Sequence, residues 1–219
     1  MAGETVKSEA LCLAIRPWSR TSHIVTWLTP EGRVVTLIKG AVRPKSAFLG
    51  QYDLNYTCEL VYYARAKGEL RSLRECVPSV RRDALRENFR ALVLAEYFRK
   101  LALELAPTGP EAEAWFRLLA LALDRLAAGA SPLCELLAYE LRVLELAGLL
   151  PDLSEGSLEL RGERSIPVSV EVIRCLRSPR EEKNLKILLD AVRVIGVFYI
   201  FHLDCASEVR RTVLKVISN

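Results

Sequence analysis

The residues with the clearest chemical meaning are basic side chains that surround a glycine and a proline near the amino terminus. The stretch RVVTLIKGAVRPKS, residues 33–46, holds four basic residues and no acidic one: Arg33, Lys39, Arg43 and Lys45. A solvated protein surface normally intersperses both signs of charge. Gly40 can bring backbone N–H groups close to a phosphate, and Pro44 stiffens the turn that displays its basic neighbours. The pattern therefore predicts a phosphate-binding loop.

The distribution of charge along the chain supports this interpretation. Residues 1–80 carry eleven Lys and Arg against seven Asp and Glu, whereas the remaining residues carry twenty of each. The whole net charge of +4 thus lies in the first third, which predicts that this third meets a polyanion. Besides the four basic residues of the loop, the candidates for phosphate contact are Arg16, Arg20, Arg65, Lys67, Arg71 and Arg74.

The elements that must position these side chains are strands in the first third of the chain. Apolar and β-branched residues alternate there in five short segments, at Leu11–Ile15, Ile24–Leu28, Val34–Ile38, Leu54–Tyr63 and Leu70–Cys76. A closed barrel is the economical arrangement for five short strands, because closure removes their exposed edges. We expect residues 1–80 to form a small nucleic-acid-binding barrel of the OB-fold type.

Barrels of this type bind single strands by combining a cationic groove with aromatic platforms on which bases stack. Trp18 lies between Arg16 and Arg20, and Phe48 and Tyr52 follow the basic loop. Strand alternation predicts that other aromatic side chains face the core: Trp27, Tyr56 and at least one of Tyr62 and Tyr63. For Trp18 itself, two possibilities remain: an exposed side chain that serves as a stacking platform, or a side chain packed in the core.

From residue 81 onward the apolar period becomes helical, so we expect an α+β protein in which an all-α domain, residues 81–219, follows the barrel. Ser131 and Pro132 have the composition of a helix start, with Ser as N-cap, and Gly148 that of a helix end. Residues 151–168 show neither period.

No pattern of residues indicates an enzyme. The two histidines have no Cys or His at metal-ligand spacing, and no nucleophile, nucleotide-loop or zinc-protease motif is present. We therefore expect a binding protein without cofactor, metal or small-molecule substrate, although a site assembled from scattered carboxylates is an alternative. No apolar run approaches the roughly 20 residues of a membrane span, and the start of the chain lacks a signal peptide. Six dispersed cysteines then favour the reducing cytoplasm.

Several stretches resemble the RecO family of bacterial recombination mediators. They are Ala14–Ser22, the segment from Gly32-Arg33 to Lys39–Ser46 with Gly50-Gln51, Arg71–Cys76, Tyr139–Leu153 and Arg210–Leu214. No single motif is decisive, but their joint order covers nearly the whole chain. Many members of that family carry a four-cysteine zinc element after the "P-D-L" of residues 151–153. Here the segment 151–168 contains no cysteine, so it resembles a shortened, metal-free form.

The resemblance implies a non-enzymatic DNA-repair protein in the bacterial cytoplasm, associated with the nucleoid. Such a protein would bind single- and double-stranded DNA and anneal complementary strands. With RecR as partner, it would help RecA replace the single-strand binding protein SSB. The acidic, hydrophobic C-terminal tail of SSB would dock on the helical domain, where the candidate contacts are Arg142, Lys186, Arg193, Arg210 and Arg211. From the residues alone, an RNA-binding barrel of translation or ribosome assembly remains the alternative.

Overall fold

The amino-terminal third forms the predicted barrel. The structure is a computed structural model that describes residues 4–64, 69–154, 156–160, 164–203 and 207–217. The strands are β1 (Thr5–Ser19), β2 (Ser22–Thr29), β3 (Gly32–Ile38), β4 (Thr57–Tyr63) and β5 (Leu70–Val80). They close in the order β1-β2-β3-β5-β4, with β3 and β5 parallel and the other neighbours antiparallel. This closed five-stranded arrangement confirms the expected OB-fold.

Strand alternation fills the barrel with large side chains. Trp27 is fully buried at its centre, and its indole N–H donates to the hydroxyl of Thr36 at 2.8 Å, so the buried polar atom has a partner. Tyr56 and Tyr62 are also buried whereas Tyr63 is 38% exposed, as the alternation predicted. The aromatic residues of the strands are therefore mainly core residues, and they leave the surface to other side chains.

One compact unit of the chain consists of residues 1–83 together with 105–123. Arg82 is buried and ties these parts together by donating to the carbonyl of Asn55 at 2.7 Å and to that of Ala120 at 3.5 Å. The backbone N–H of Gly109 donates to the carbonyl of Glu31 at 3.1 Å. A division of the chain after residue 80 would assign 105–123 to the helical domain, so the domain boundary stays a prediction.

The helices are α1 (Phe89–Leu105), α2 (Ala112–Ala127), α3 (Pro132–Leu146), α4 (Val170–Arg177), α5 (Leu185–His202) and α6 (Ser207–Ile217), preceded by a 3₁₀ turn at Asp83–Glu87. They follow the predicted helical period. Ser131 precedes α3 and Pro132 occupies its first turn, but the Ser131 side chain makes no capping hydrogen bond. Gly148 has a φ of +68°, a conformation that favours glycine after a helix end.

The second compact unit consists of residues 84–104 and 124–219. In it, the aperiodic segment 151–168 contains a hairpin, β6 (Ser157–Leu160) paired with β7 (Arg164–Pro167). Leu158 is fully buried, and the N–H of Val168 donates to the carbonyl of Gly156 at 2.8 Å. Strands of four residues are too short to show an alternation, which explains why the sequence did not predict this hairpin.

Candidate nucleic-acid interface

The end of β1, where the chain turns into β2, displays one aromatic side chain between two cationic ones. In the antiparallel ladder Pro17 pairs with His23 and Ser19 with Ser22, and the register shifts between them. Within residues 4–64, Trp18 consequently has no cross-strand partner. An irregularity of this kind re-aims a side chain away from the sheet. Trp18 is 61% exposed, which settles the open alternative in favour of a surface position, and Arg16 and Arg20 are exposed beside it.

The basic loop after β3 is attached to that turn by hydrogen bonds. The N–H of Gly40 donates to the hydroxyl of Ser22 at 3.2 Å, and the N–H of Val42 donates to the carbonyl of Thr21 at 3.3 Å. Gly40 has a φ of +66°, and a Cβ added there would lie 3.2 Å from Cδ of Arg43. The backbone conformation therefore favours glycine, and a Cβ would in addition displace the flexible Arg43 side chain by a few tenths of an ångström.

The turn and the loop form the two sides of an open groove with a volume of about 500 Å³. Its walls are formed by Trp18, Ser19, Thr21, Ser22, Leu37, Lys39, Gly40 and Arg43. The sequence predicted the aromatic and basic members of this set. It missed the hydroxyl-bearing residues Ser19, Thr21 and Ser22, whose position on both sides of Arg20 was the available signal.

The cations at this end of the barrel are not neutralised by acidic residues. Five of them are exposed, and none makes an ion pair within the part of the chain that the structure describes: Arg16, Arg20, Lys39, Arg43 and Lys45. Elsewhere on the barrel charges do pair, as between Nζ of Lys7 and Oε2 of Glu59 at 2.8 Å. The hydrogen bond that Lys7 donates to Glu59 raises the pKa of Lys7. The five cations therefore give this end of the barrel a positive charge that no acidic residue of the described chain neutralises.

The remaining predicted contacts lie apart from the groove. Arg33 begins β3 opposite Leu28, whereas the opposite end of β3, at Ile38, pairs with His23 near the groove. The distance along β3 from Arg33 to Ile38 is five residue steps, or about 17 Å. Arg33 is therefore not part of the same cluster.

On β5, the guanidinium of Arg71 lies 5.4 Å from the ring centroid of Tyr62, in cation–π geometry. Burial raises the pKa of Tyr62, and the charge of Arg71 acts in the opposite direction. Arg74 is exposed, and its Nε lies 3.2 Å from Oε1 of Glu75. The predicted contacts Arg65 and Lys67 lie outside the described residues.

The two aromatic side chains that follow the basic loop pack inward and offer no stacking surface comparable to Trp18. Phe48 and Tyr52 lie against the barrel core. The hydroxyl of Tyr52 is 2.7 Å from Nδ1 of His23, and its ring makes an edge contact with Trp27. Burial raises the pKa of Tyr52 well above its usual value, so the phenol stays protonated. Trp18 is left as the aromatic side chain of the groove.

The helical unit has a second groove, of about 360 Å³, with apolar walls and a basic rim. Leu141, Leu150, Leu153, Leu176 and Pro179 are among its apolar residues, and Arg142, Arg177 and Arg180 supply the charges. Arg142 was predicted on a partner-binding surface, and its guanidinium pairs with Glu145. Arg177 and Arg180 were missed, because the sequence does not show that the end of α4 returns to α3.

Arg180 shares a buried acid with another arginine. Its Nε and Nη2 donate to the two carboxylate oxygens of Glu135 at 2.9 and 3.0 Å, and Nε of Arg125 donates to Oε1 at 2.7 Å. Burial alone would raise the pKa of Glu135, but the hydrogen bonds from Arg180 and Arg125 outweigh it and lower the pKa below its usual value. One negative charge thus faces two positive ones, which leaves this region net positive.

The structure does not leave Arg210 available for a surface contact. It is only 7% exposed, and its Nε and Nη2 donate to the carboxylate of Glu140 at 2.6 and 2.9 Å. Burial would lower the pKa of Arg210, but the charge of Glu140 raises it above its ordinary value. The other candidates, Lys186, Arg193 and Arg211, are exposed but do not line the groove, and Nη1 of Arg193 lies 2.8 Å from Asp190.

The described residues contain neither a candidate metal site nor a candidate membrane span. Among them, no cluster of three or more His, Cys, Asp or Glu side chains could hold a metal ion. In the same part of the chain, no helix combines the length and apolar character that crossing a membrane requires. Five of the six cysteines are buried as thiols, and Cys205 lies outside the described residues.

Comparison with known protein families gives two matches in tandem. Residues 1–79 match the family described as recombination protein O, N terminal, and residues 86–217 match recombination protein O, C terminal. The two matches follow the order that the resembling stretches suggested and cover nearly the whole chain. No individual curated protein matches the chain.

Proposed function

The chain belongs to the recombination protein O family, whose members mediate DNA recombination and repair, and from this premise we propose that its barrel groove binds DNA and promotes annealing. The protein would bind both single- and double-stranded DNA through phosphates. Together with RecR it would assist the loading of RecA on single strands coated with SSB. With such a substrate it would act in the bacterial cytoplasm, at the nucleoid.

The observation that carries the proposal is the combination of Trp18 with the exposed, unpaired cations around one groove. Phosphates attract such cations, and binding releases counterions from the nucleic acid. Neutralising phosphates also lowers the repulsion between two complementary strands that are brought together. A groove of this kind therefore supports annealing without any catalytic group, in keeping with a mediator.

The helical groove is the proposed site for the SSB tail. Its apolar walls suit hydrophobic side chains, and Arg142, Arg177 and Arg180 suit the acidic residues and terminal carboxylate of such a peptide. The exposed Lys186, Arg193 and Arg211 are proposed to steer the acidic tail from a distance. Arg210 is excluded from this proposal because its charge is buried against Glu140.

The experiment that tests the function is annealing of complementary strands coated with SSB, measured by energy transfer between labelled ends, with and without RecR. We expect the protein to accelerate annealing and Arg142→Glu to weaken it only when SSB is present. Arg43→Glu combined with Lys45→Glu should reduce annealing of bare strands as well. If the wild-type protein fails to accelerate annealing of either substrate, the annealing function is wrong.

The alternative function, binding of RNA, would use the same groove. A cationic barrel groove with one stacking platform accepts either nucleic acid, because both present phosphates and bases. Binding of single-stranded DNA and RNA of one sequence should therefore be compared at one salt concentration. A clear preference for RNA, together with absent annealing activity, would favour a function in translation or ribosome assembly.

A further inference from the structure

Trp18 is a large apolar side chain that the fold places on the surface rather than in the core. We propose that its indole stacks on one unpaired base while Lys39 and Arg43 hold an adjacent phosphate, so that the groove distinguishes single-stranded from double-stranded DNA. This inference rests on the proposed DNA binding and assigns the preference for unpaired nucleotides to a single residue. The cations alone would bind any phosphate backbone.

The backbone holds Trp18 in this position. The register shift between Pro17 and Ser19 takes the residue out of the β1–β2 ladder, and Pro17 stiffens the approach to it. On the other side of the groove, the N–H groups of Gly40 and Val42 bind the turn through Ser22 and Thr21. The platform and the cationic loop are therefore parts of one hydrogen-bonded unit, and their separation is fixed before any ligand arrives.

The contrast with the other tryptophans shows that exposure is a specific property of this position. Trp27 is 0% exposed and Trp115 is 3% exposed, whereas Trp18 is 61% exposed. Burial of an aromatic side chain is normally strongly favourable, so a tryptophan left in water is unusual for a folded surface. A ligand with an apolar face would cover it. A nucleobase has such a face, and the neighbouring cations match its phosphate.

The composition of the groove fits one nucleotide. Its volume of about 500 Å³ lies in the range of small-molecule pockets, about 300–1,000 Å³. Lys39 and Arg43 supply charge, and the hydroxyls of Ser19 and Thr21 can bind sugar or phosphate oxygens. In a duplex the faces of the bases are covered by stacking on their neighbours. A duplex can therefore reach the cations but not the face of the indole.

The first test compares the affinities of variants for single-stranded and duplex DNA of equal length by fluorescence anisotropy. Trp18→Ala should weaken single-strand binding roughly 5- to 150-fold, the range for loss of one base–aromatic stack, and leave duplex binding unchanged. Trp18→Phe should restore most of the single-strand affinity. Tyr63→Ala is the matched control, since Tyr63 is an exposed aromatic residue of β4 outside the groove.

A strand with abasic sites provides an independent readout. It keeps the phosphates but has no bases, so wild-type protein and Trp18→Ala should bind it equally, and both about as weakly as the variant binds the normal strand. Intrinsic fluorescence adds a second signal, because Trp18 alone of the three tryptophans is accessible to iodide. Single-stranded DNA should protect it from quenching and duplex DNA should not, and Trp18→Phe should abolish the protected signal.

The outcomes separate this inference from the proposed function. If Trp18→Ala binds single strands as well as wild type while Arg43→Glu with Lys45→Glu binds poorly, DNA binding by the groove stands and the stacking inference is wrong. If Trp18→Ala weakens single-strand and duplex binding equally, the indole has a structural role and the inference is also wrong. If neither variant changes DNA binding, the groove is not the interface and both proposals are overturned.

Discussion

Reversing the two charges at the tip of the basic loop should change how DNA binding depends on salt. The change is Arg43→Glu with Lys45→Glu; both side chains are exposed and neither makes an ion pair within the described residues. Each phosphate neutralised on a single strand contributes about 0.7 to the slope of log affinity against log salt. If all five unpaired cations of the groove region contact phosphates, the wild-type slope is about −3.5.

Loss of two of these contacts should therefore flatten the slope by about 1.4 for single strands and about 1.8 for duplex DNA. Between 50 and 200 mM salt, wild-type affinity should fall about 100-fold and that of the variant only about 20-fold. The variant should bind more weakly at low salt for every sequence, because phosphate contacts carry no sequence information. Since surface substitutions usually change stability by about 0.5 kcal/mol or less, the fold should be retained.

The assay is fluorescence anisotropy with labelled oligonucleotides over a series of salt concentrations. The matched control is Lys183→Glu with Lys186→Glu, two exposed lysines of the helical unit. Both double variants lower the net charge from +4 to 0, so total charge is the same and only its location differs. The control should keep the wild-type slope. An unchanged slope in the loop variant, or an equal change in the control, would refute the assignment of the interface to this loop.

Three further predictions concern stability, each measured by urea or thermal unfolding. Glu140→Gln should lower the free energy of unfolding by about 3–5 kcal/mol, because it leaves the charge of Arg210 buried without a partner. Glu135→Gln should lower it by only about 1.5–3 kcal/mol, since both arginine partners of Glu135 are partly exposed to water. The lowered pKa of Glu135 means that its stabilisation is complete above the unfolded pKa of about 4.3 and is lost as the pH falls through the lower pKa of the folded state. The stability difference between wild type and Glu135→Gln should therefore shrink as the solution is made acidic. Leu158→Ala should lower the free energy of unfolding by about 2–5 kcal/mol, because it removes a fully buried side chain. EDTA should leave the Tm of the wild-type protein unchanged, because segment 151–168 contains no cysteine that could bind zinc.

The barrel could be predicted from the sequence because its alternation is local and its residues are typical of half-buried strands. Trp27 and Tyr56 follow directly from that alternation. The hairpin β6–β7 could not be predicted, since four residues per strand carry too little pattern. Leu158 of β6 is fully buried and β6 contacts α5, and such long-range packing leaves no local periodicity.

Arg210 shows the same limit for a charged residue. Its position on α6, beside Arg211, is typical of a solvated helix face. Its actual partner is Glu140, seventy residues earlier in the chain, and the two meet only after α3 and α6 are in one folded unit. Arg211 is exposed while Arg210 is buried. Since two adjacent arginines have opposite environments, composition alone could not separate a surface contact from a structural ion pair.

The charge asymmetry of the first third leaves polyanion binding as a prediction, and the folded barrel shows where part of the excess charge lies. Pairing in the folded barrel removes charges that the sequence counts as positive, as with Lys7 on Glu59 and Arg74 on Glu75. Within the described residues, Arg16, Arg20, Lys39, Arg43 and Lys45 make no ion pair, and they lie at the strand end and loop that frame Trp18. Like charges this close repel one another in the free protein, so the arrangement costs stability until an anion is bound. Binding of a polyanion relieves that repulsion, and this relief is why the groove, rather than the barrel surface as a whole, is the place to look for DNA.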